Sequence, residues 1–355
     1  MENCLISIII PIYNGSTSGI ENCLKSILEQ DILEKEIIII DDCSSDNSIE
    51  TINLMLKQTS VNYTIKNHDS NLGLSKSLNE GLNISKGIYK LIIQQDCALI
   101  EKSELRDSIE YMEGRNIKVL VGSPVINFNS LNDYQKIFKI RISESSNNKE
   151  KDNRIYITQL KCDLFKAEIF SIIGPFDSMH KTVGQDFVLS SKLFNNYIEM
   201  YTFENFSFRI QYEGEKTFKS ICLKEFRYAL AVPYISSIWR KNRFLKDSDS
   251  LQTKSKVIER FLNILFPILL LLVISTYFIY NSNLILFFII IVLIVWIVRA
   301  FSRIIPVFWN STKKWKIVLY SILYVFIDFF YSIGFLVGIA YLIKINFLRN
   351  SAVKP

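Results

Sequence analysis

Three short stretches set carboxylates where carboxylates do chemistry: Asp41-Asp42, Gln94-Gln95-Asp96 and Gly184-Gln185-Asp186. The first follows four consecutive isoleucines, a run too short to span a membrane and too uniformly apolar for a half-exposed edge. It predicts a central strand buried on both faces, as in a parallel α/β sheet. In such open sheets ligands bind outside the carboxyl ends of the strands, so Asp41 and Asp42 stand where a ligand is held. Gln94-Gln95-Asp96 ends the apolar run 89–93 in the same way. Two strand ends carrying polar groups point to one shared cleft. Asp186 precedes Phe187, Val188, Leu189, Leu193 and Phe194, a short amphipathic pattern that puts its carboxylate in a first helical turn.

The elements that must position these residues alternate along the chain. Residues 5–10 predict a buried strand ending at Pro11, which cannot continue a central ladder. Tyr13-Asn14-Gly15 makes a turn, and Ser18 with Glu21 reads as a capping box for a helix with Ile20, Leu24, Ile27 and Leu28 on one face. Asn47 with Glu50 caps a second helix, and 61–66 is a third strand. Leu74, Leu78 and Leu82 give the next helix one apolar face, away from which lie Lys76 and Asn79. Gly73 before it lets the loop approach a ligand closely. Helix 101–113 and strand 118–121 follow, then a polar stretch over 127–154 read as a lid. Segment 165–173 leads into a turn at 174–177, and 197–203 and 206–212 read as closing strands. The succession is doubly wound, with right-handed crossovers.

The net charge of +6 concentrates between 213 and 260, where eleven Lys or Arg face six Asp or Glu. Beside apolar runs, such a cluster is expected on anionic headgroups. A nucleic-acid patch competes, but no base-reading motif accompanies it, so no nucleic-acid partner is expected. The six cysteines are scattered, and with two histidines, His68 and His180, they predict no zinc cluster; reduced thiols in a cytosolic domain are the simpler account. The N-terminus lacks a basic start and a cleavage site. From 216 to 246 a basic, aromatic-rich helix pair is expected, broken at Pro233 and lying among headgroups. Apolar runs at 261–280, 284–298 and 317–343 predict two to three crossings, the second stopped by Arg299 and Arg303, with an interfacial segment over 304–316. Basic clusters at 240–260 and 299–316 place one side of the first two crossings in the cytosol. Asp328, inside the third run, is costly there unless paired or hydrated. The expected domains are 1–212, 213–260, 261–343 and a tail over 344–355.

Ser7 to Asn14, then Ile39-Ile40-Asp41-Asp42-Cys43-Ser44-Ser45-Asp46, then Asn71-x-Gly73-x-Ser75-x-x-x-Asn79-x-Gly81, resemble family 2 glycosyltransferases. The likeness covers roughly 5–245. It implies an α/β fold of GT-A type, with a Rossmann-like, mixed, mostly parallel sheet, followed by an α-helical membrane domain. It also implies a nucleotide-sugar donor, UDP- or dTDP-linked, with Asp41 and Asp42 on the base, Pro11, Tyr13 and Asn14 around base and ribose, and Asn71, Gly73, Lys76, Gln94 and Gln95 completing the donor site. Asp41 and Asp42 as plain helix-dipole partners are the competing assignment. Gln94-Gln95-Asp96 falls on the family's Asp-x-Asp motif with its first Asp replaced. Asp96 is thereby expected to hold Mg²⁺ or Mn²⁺, weakly. Asp186 matches the catalytic base of an inverting transfer, and a helix N-terminus favours the ionised form that a base requires. Trp239, Arg240 and Arg243 are candidates for a polyprenyl-linked acceptor at the cell membrane, and His180 for a substrate or metal contact. Direct transfer to polyprenyl phosphate is the near alternative, and an inactive nucleotide-sugar-binding scaffold the distant one.

Overall fold

The computed structural model describes residues 5–15, 19–125, 131–137, 153–155, 157–177, 184–210, 217–240, 251–280, 282–309 and 314–352. The chain divides into two units, one made of 1–127, 148–214 and 242–244, the other of 128–147, 215–241 and 245–355.

The first unit is built on an eight-stranded sheet in the order β3-β2-β1-β4-β9-β6-β10-β8. Its strands are β1 Ile6–Ile12, β2 Lys35–Asp41, β3 Asn62–Asn67, β4 Tyr89–Ile93, β6 Val119–Val121, β8 Arg154–Ile155, β9 Cys162–Lys166 and β10 Met200–Tyr201. A second sheet joins β5 Cys97–Leu99, β11 Ser207–Ile210 and β7 Ser123–Val125. β1, β2 and β4 are buried along their whole length. Alternate isoleucines serve opposite cores: Ile8, Ile10, Ile37 and Ile39 pack with Leu24 and Ile27, while Ile9, Ile38 and Ile40 pack with Leu78 and Leu189. Each such side chain, taken from water, contributes about 1.5–3 kcal/mol. The helices are α1 Ile20–Leu28, α2 Ser48–Leu56, α3 Leu74–Ile84, α4 Glu104–Arg115, α5 Ile169–Ile173 and α6 Gln185–Asn195.

The GT-A arrangement of a mixed sheet is the one expected, with three differences in detail. β1 runs through Pro11 to Ile12 and pairs with β2 there. Its pairing with β4 stops at Ile9, so beyond that residue the missing N–H of Pro11 costs no bond on the β4 side. β9 sits antiparallel between β4 and β6, in a stretch where no strand was expected. The caps also differ. Gly19 precedes α1, the expected cap residue Ser18 lying outside the described residues, and Asn47 makes no side-chain cap on α2; Asp46 accepts the Ser48 N–H there at 3.1 Å.

The second unit is helical: α7 Phe218–Arg240, α8 Leu251–Tyr280, α9 Asn283–Phe308 and α10 Lys314–Ala352. α7 is one helix with Pro233 inside it, not a pair, because a proline removes a single hydrogen bond and kinks rather than necessarily ends a packed helix. α9 continues past Arg299 to Phe308, and so takes in the first part, 304–308, of the segment expected to be interfacial. The reason is Asp328 of α10, wholly buried, which accepts a hydrogen bond from Trp296 Nε1 at 2.9 Å and pairs with Arg299 at 3.4 Å. Gly334 and Gly338 let α10 approach α7 closely: a Cβ on either would come within 2.4 Å of Phe226 O or 2.5 Å of Leu230 O. Among the described residues two helical stretches, Asn283–Phe308 and Lys314–Ile343, are long and apolar enough to cross a membrane; the apolar part of α8, Pro267–Tyr280, is shorter.

Candidate active site

β1 and β4 are paired from Ile6 and Tyr89 to Ile9 and Ile92 and then part, whereas β1 and β2 stay paired to Ile12 and Asp41. The strand order reverses at this place, so the crevice that opens between β1 and β4 is a topological switch point. Side chains tie its rims together. Gln95 accepts the Tyr13 N–H at 2.9 Å and donates to Tyr13 O at 3.0 Å. Asn14 donates its N–H to Ser44 at 2.9 Å and accepts the Ser45 N–H at 2.8 Å. The Tyr13 side chain is left half exposed, an open aromatic face at the tip of β1.

Asp41 and Asp42 are both buried, and both serve their own chain. Asp41 accepts from the backbone N–H of Ser44 at 3.2 Å and from its hydroxyl. Asp42 accepts the N–H of Leu72 at 2.7 Å and that of Gly73 at 2.8 Å, and faces His68 Nδ1 at 2.8 Å. Gly73, at φ 89°, makes the turn that aims both N–H groups at the carboxylate. Three of the roughly four lone-pair positions of Asp42 are thus taken before any ligand arrives. His68 bridges on to Glu80, 2.5 Å from Nε2, and Glu80 pairs with Lys66. Burial opposes the imidazolium, but its hydrogen bonds to Asp42 and Glu80 outweigh burial and hold its pKa above the ordinary value. Asn71 and Lys76 are exposed around this loop. Asn79 clamps α3 to another loop, with Phe176 N–H at 2.7 Å and Phe176 O at 3.0 Å.

At the tip of β4 the three polar residues have separate tasks. Gln94 donates its backbone N–H to Lys161 O at 2.8 Å and its side-chain amide to Leu160 O at 3.1 Å. Gln95 is committed to Tyr13. Asp96 receives Lys161 Nζ on both oxygens, at 2.8 and 3.0 Å. A divalent cation would find one carboxylate here, already bridged by an ammonium. Among the described residues no group of three or more His, Cys, Asp and Glu could hold a metal ion. The described residues thus offer no all-protein metal cage; Asp96 is the one carboxylate here that could share a divalent cation with a donor's diphosphate, and it would have to release Lys161 to do so.

Asp186 stands in the first turn of α6 after Gly184, at φ 94°. Its carbonyl accepts from Ser190 Oγ at 2.7 Å, and Ser190 Oγ accepts the Thr158 N–H at 3.1 Å. Thr158 donates its hydroxyl to Asp163 of β9, whose second oxygen is buried with no hydrogen-bond partner. Burial pushes the Asp163 carboxyl up to about 7, and the charge of Asp186 adds to that rise. Hydrogen bonds and chain neighbours thus link Asp42 and Asp41 through Ser44, Asn14, Tyr13, Gln95, the β4 tip and the entry to β9 to the backbone carbonyl of Asp186.

Of the residues singled out from sequence, this network takes in Tyr13, Asn14, Asp41, Asp42, Gly73, Gln94, Gln95, Asp96 and Asp186, and Pro11 lies in β1 just below it. His180, Arg243 and most of the 127–154 stretch lie outside the described residues. Of Trp239 and Arg240 the helical backbone alone is described. Lys161, Asp163, Thr158 and His68 went unnoticed as site residues. For the first three, the one available signal was the apolar–polar alternation that marks β9.

A family model described as glycosyl transferase family 2 matches residues 7–174. Glycosyltransferase GlyG of Streptococcus pneumoniae is 28% identical over 119 residues, 34% of this chain and 38% of that protein. The poly(ribitol-phosphate) beta-glucosyltransferase of Bacillus spizizenii is 33% identical over 103 residues, 28% of this chain and 16% of that one. The chain thus spans well under half the length of either relative. Among solved structures, the mannosyltransferase PcManGT from Pyrobaculum calidifontis, in complex with GDP-Man and Mn²⁺, superposes with a TM-score of 0.51 at 14% identity. It covers 91% of this chain, which in turn covers 86% of it, a likeness of fold.

Proposed function

The N-terminal domain of this chain belongs to glycosyl transferase family 2, and from that premise we propose that the protein is an inverting transferase. It moves one sugar from a nucleotide-sugar donor, UDP- or dTDP-linked, to a polyprenyl-linked glycan at a membrane. One observation carries the reading: side chains tie the tips of β1, β2 and β4 to one another and to the entry of β9, and that network reaches the backbone at the start of the Asp186 helix. The half-open ring of Tyr13 offers a stacking face to the base. Asp41 and Asp42 shape the loops around that base and leave little carboxylate to share. Asp186 takes the acceptor hydroxyl's proton as the oxygen attacks the anomeric carbon, and a helix N-terminus keeps it ionised for that task.

The membrane part of the reading is supported by two helical stretches of crossing length and by the basic stretch over 213–260. It makes the protein multi-pass, with the catalytic domain cytoplasmic.

The test is turnover with a panel of UDP-, dTDP- and GDP-sugars and a polyprenyl-diphosphate-linked acceptor, read as release of nucleoside diphosphate. Asp186→Asn lowers turnover about 10²–10⁴-fold while nucleotide binding persists. Equal turnover removes Asp186 from its role. A lipid monophosphate sugar as product, in place of an extended glycan, would move the acceptor to polyprenyl phosphate.

A further inference from the structure

We propose that Lys161 supplies the positive charge that holds and neutralises the donor's diphosphate, so that donor binding needs no divalent cation. The inference rests on the transferase reading above. Lys161 Nζ lies 2.8 and 3.0 Å from the two oxygens of Asp96, the carboxylate at the tip of β4 beside the crevice. Both side chains keep a solvent-facing part, 34% exposed for Lys161 and 25% for Asp96, so the ammonium remains within reach of a ligand.

The lysine is placed by a built turn. Leu160 before it has φ 50°, a left-handed backbone that a branched side chain rarely adopts without surrounding support. Gln94 provides that support twice, with its backbone N–H on Lys161 O and its amide nitrogen on Leu160 O. A carboxylate at position 94 would set acceptor against acceptor at Leu160 O. Gln94 and Lys161 are therefore one device: the neutral amide at the β4 tip braces the turn that presents a cation belonging to the chain.

In the reaction the acceptor oxygen forms its bond to the anomeric carbon, and the bond from that carbon to the β-phosphate oxygen breaks. The electron pair leaves with the nucleoside diphosphate, and the acceptor's proton passes to Asp186. The leaving group gains one negative charge, and an ammonium fixed beside it stabilises that charge as it develops.

The experiment titrates UDP, GDP and dTDP into the purified full chain by calorimetry, in excess EDTA and again in Mn²⁺. The expected result is that at least one nucleotide binds in EDTA within about threefold of its affinity in Mn²⁺. Lys161→Met weakens the EDTA affinity at least tenfold and makes binding depend on Mn²⁺, while Lys161→Arg, which keeps the charge, stays within a few-fold of the parent. Gln94→Asp shifts binding towards Mn²⁺ dependence without removing the lysine. Binding that requires Mn²⁺ in the parent chain overturns the inference and leaves the transferase reading intact. So does unchanged EDTA affinity in Lys161→Met. Absence of binding by all three nucleotides in both buffers overturns the transferase reading and this inference with it.

Discussion

The protein pairs an aspartate with a cation in two regions, and the pairs are built differently. At the β4 tip, Asp96 and Lys161 meet at 2.8 Å with 25% and 34% of their side chains exposed. Between α9 and α10, Asp328 is wholly enclosed, its Arg299 partner is 14% exposed, and Trp296 Nε1 donates to the same carboxylate oxygen. Water still solvates the first pair, so its net stabilisation is small and its charges stay open to a ligand. The second pair has given up most of its hydration, and removing either member would leave the other stranded in an apolar surrounding. An exposed pair is suited to recognition, a buried one to fixing how two helices pack. Asp163 shows a third way to keep a carboxyl inside: burial, with the charge of Asp186, raises its pKa to about 7, so that below this value it is enclosed in its neutral form.

The contrast is broken or sharpened most strongly at Asp328. Asp328→Ala is expected to cost about 3–5 kcal/mol, read as thermal unfolding of the detergent-solubilised protein, and Asp328→Asn, which keeps an acceptor for Trp296, less. A loss below 1 kcal/mol would put this pair in the same class as the strand-tip pair. Asp163 gives an intermediate effect that depends on pH. Its folded carboxyl titrates near 7 and its ordinary value is 3.8, so between those values the folded state keeps a proton that the unfolded state has released. Stability must then fall as pH rises from about 4 to about 7, by at most about 1.4 kcal/mol per unit. Asp163→Asn removes that slope, and urea midpoints measured at pH 5 and pH 7 check it; an unchanged slope assigns it elsewhere. The smallest effect belongs to Lys161→Met, whose stability is expected to stay within about 1 kcal/mol of the parent while nucleotide binding weakens. A larger loss of stability would make Lys161 a structural cation.

How much of this was legible beforehand depended on the range of the contacts. β1, β2 and β4 are announced by isoleucine-rich runs whose two-sided burial leaves few alternatives, and the polar residues after them fall at the tips as their sequence requires. What Asp42 does was hidden, because its partners Leu72, Gly73 and His68 lie some thirty residues on. The Lys161–Asp96 pair spans 65 residues and depends on an antiparallel strand inserted between β4 and β6, which no local pattern of turns announces. Pro11 and Pro233 misled in the same sense. A proline suggests a stop, but at Pro11 the pairing with β4 has already ended and at Pro233 a packed helix carries on past one missing bond.

The spacing of Gly334 and Gly338 fixes more than closeness. They meet Phe226 and Leu230, and both pairs advance together, so α7 and α10 point the same way. Counted from those contacts, α7 runs level with residues from about 326 to 348. Its direction is therefore tied to that of its neighbour: at these two glycines α7 lies backbone to backbone along α10, so neither helix can reverse or slide without losing both contacts.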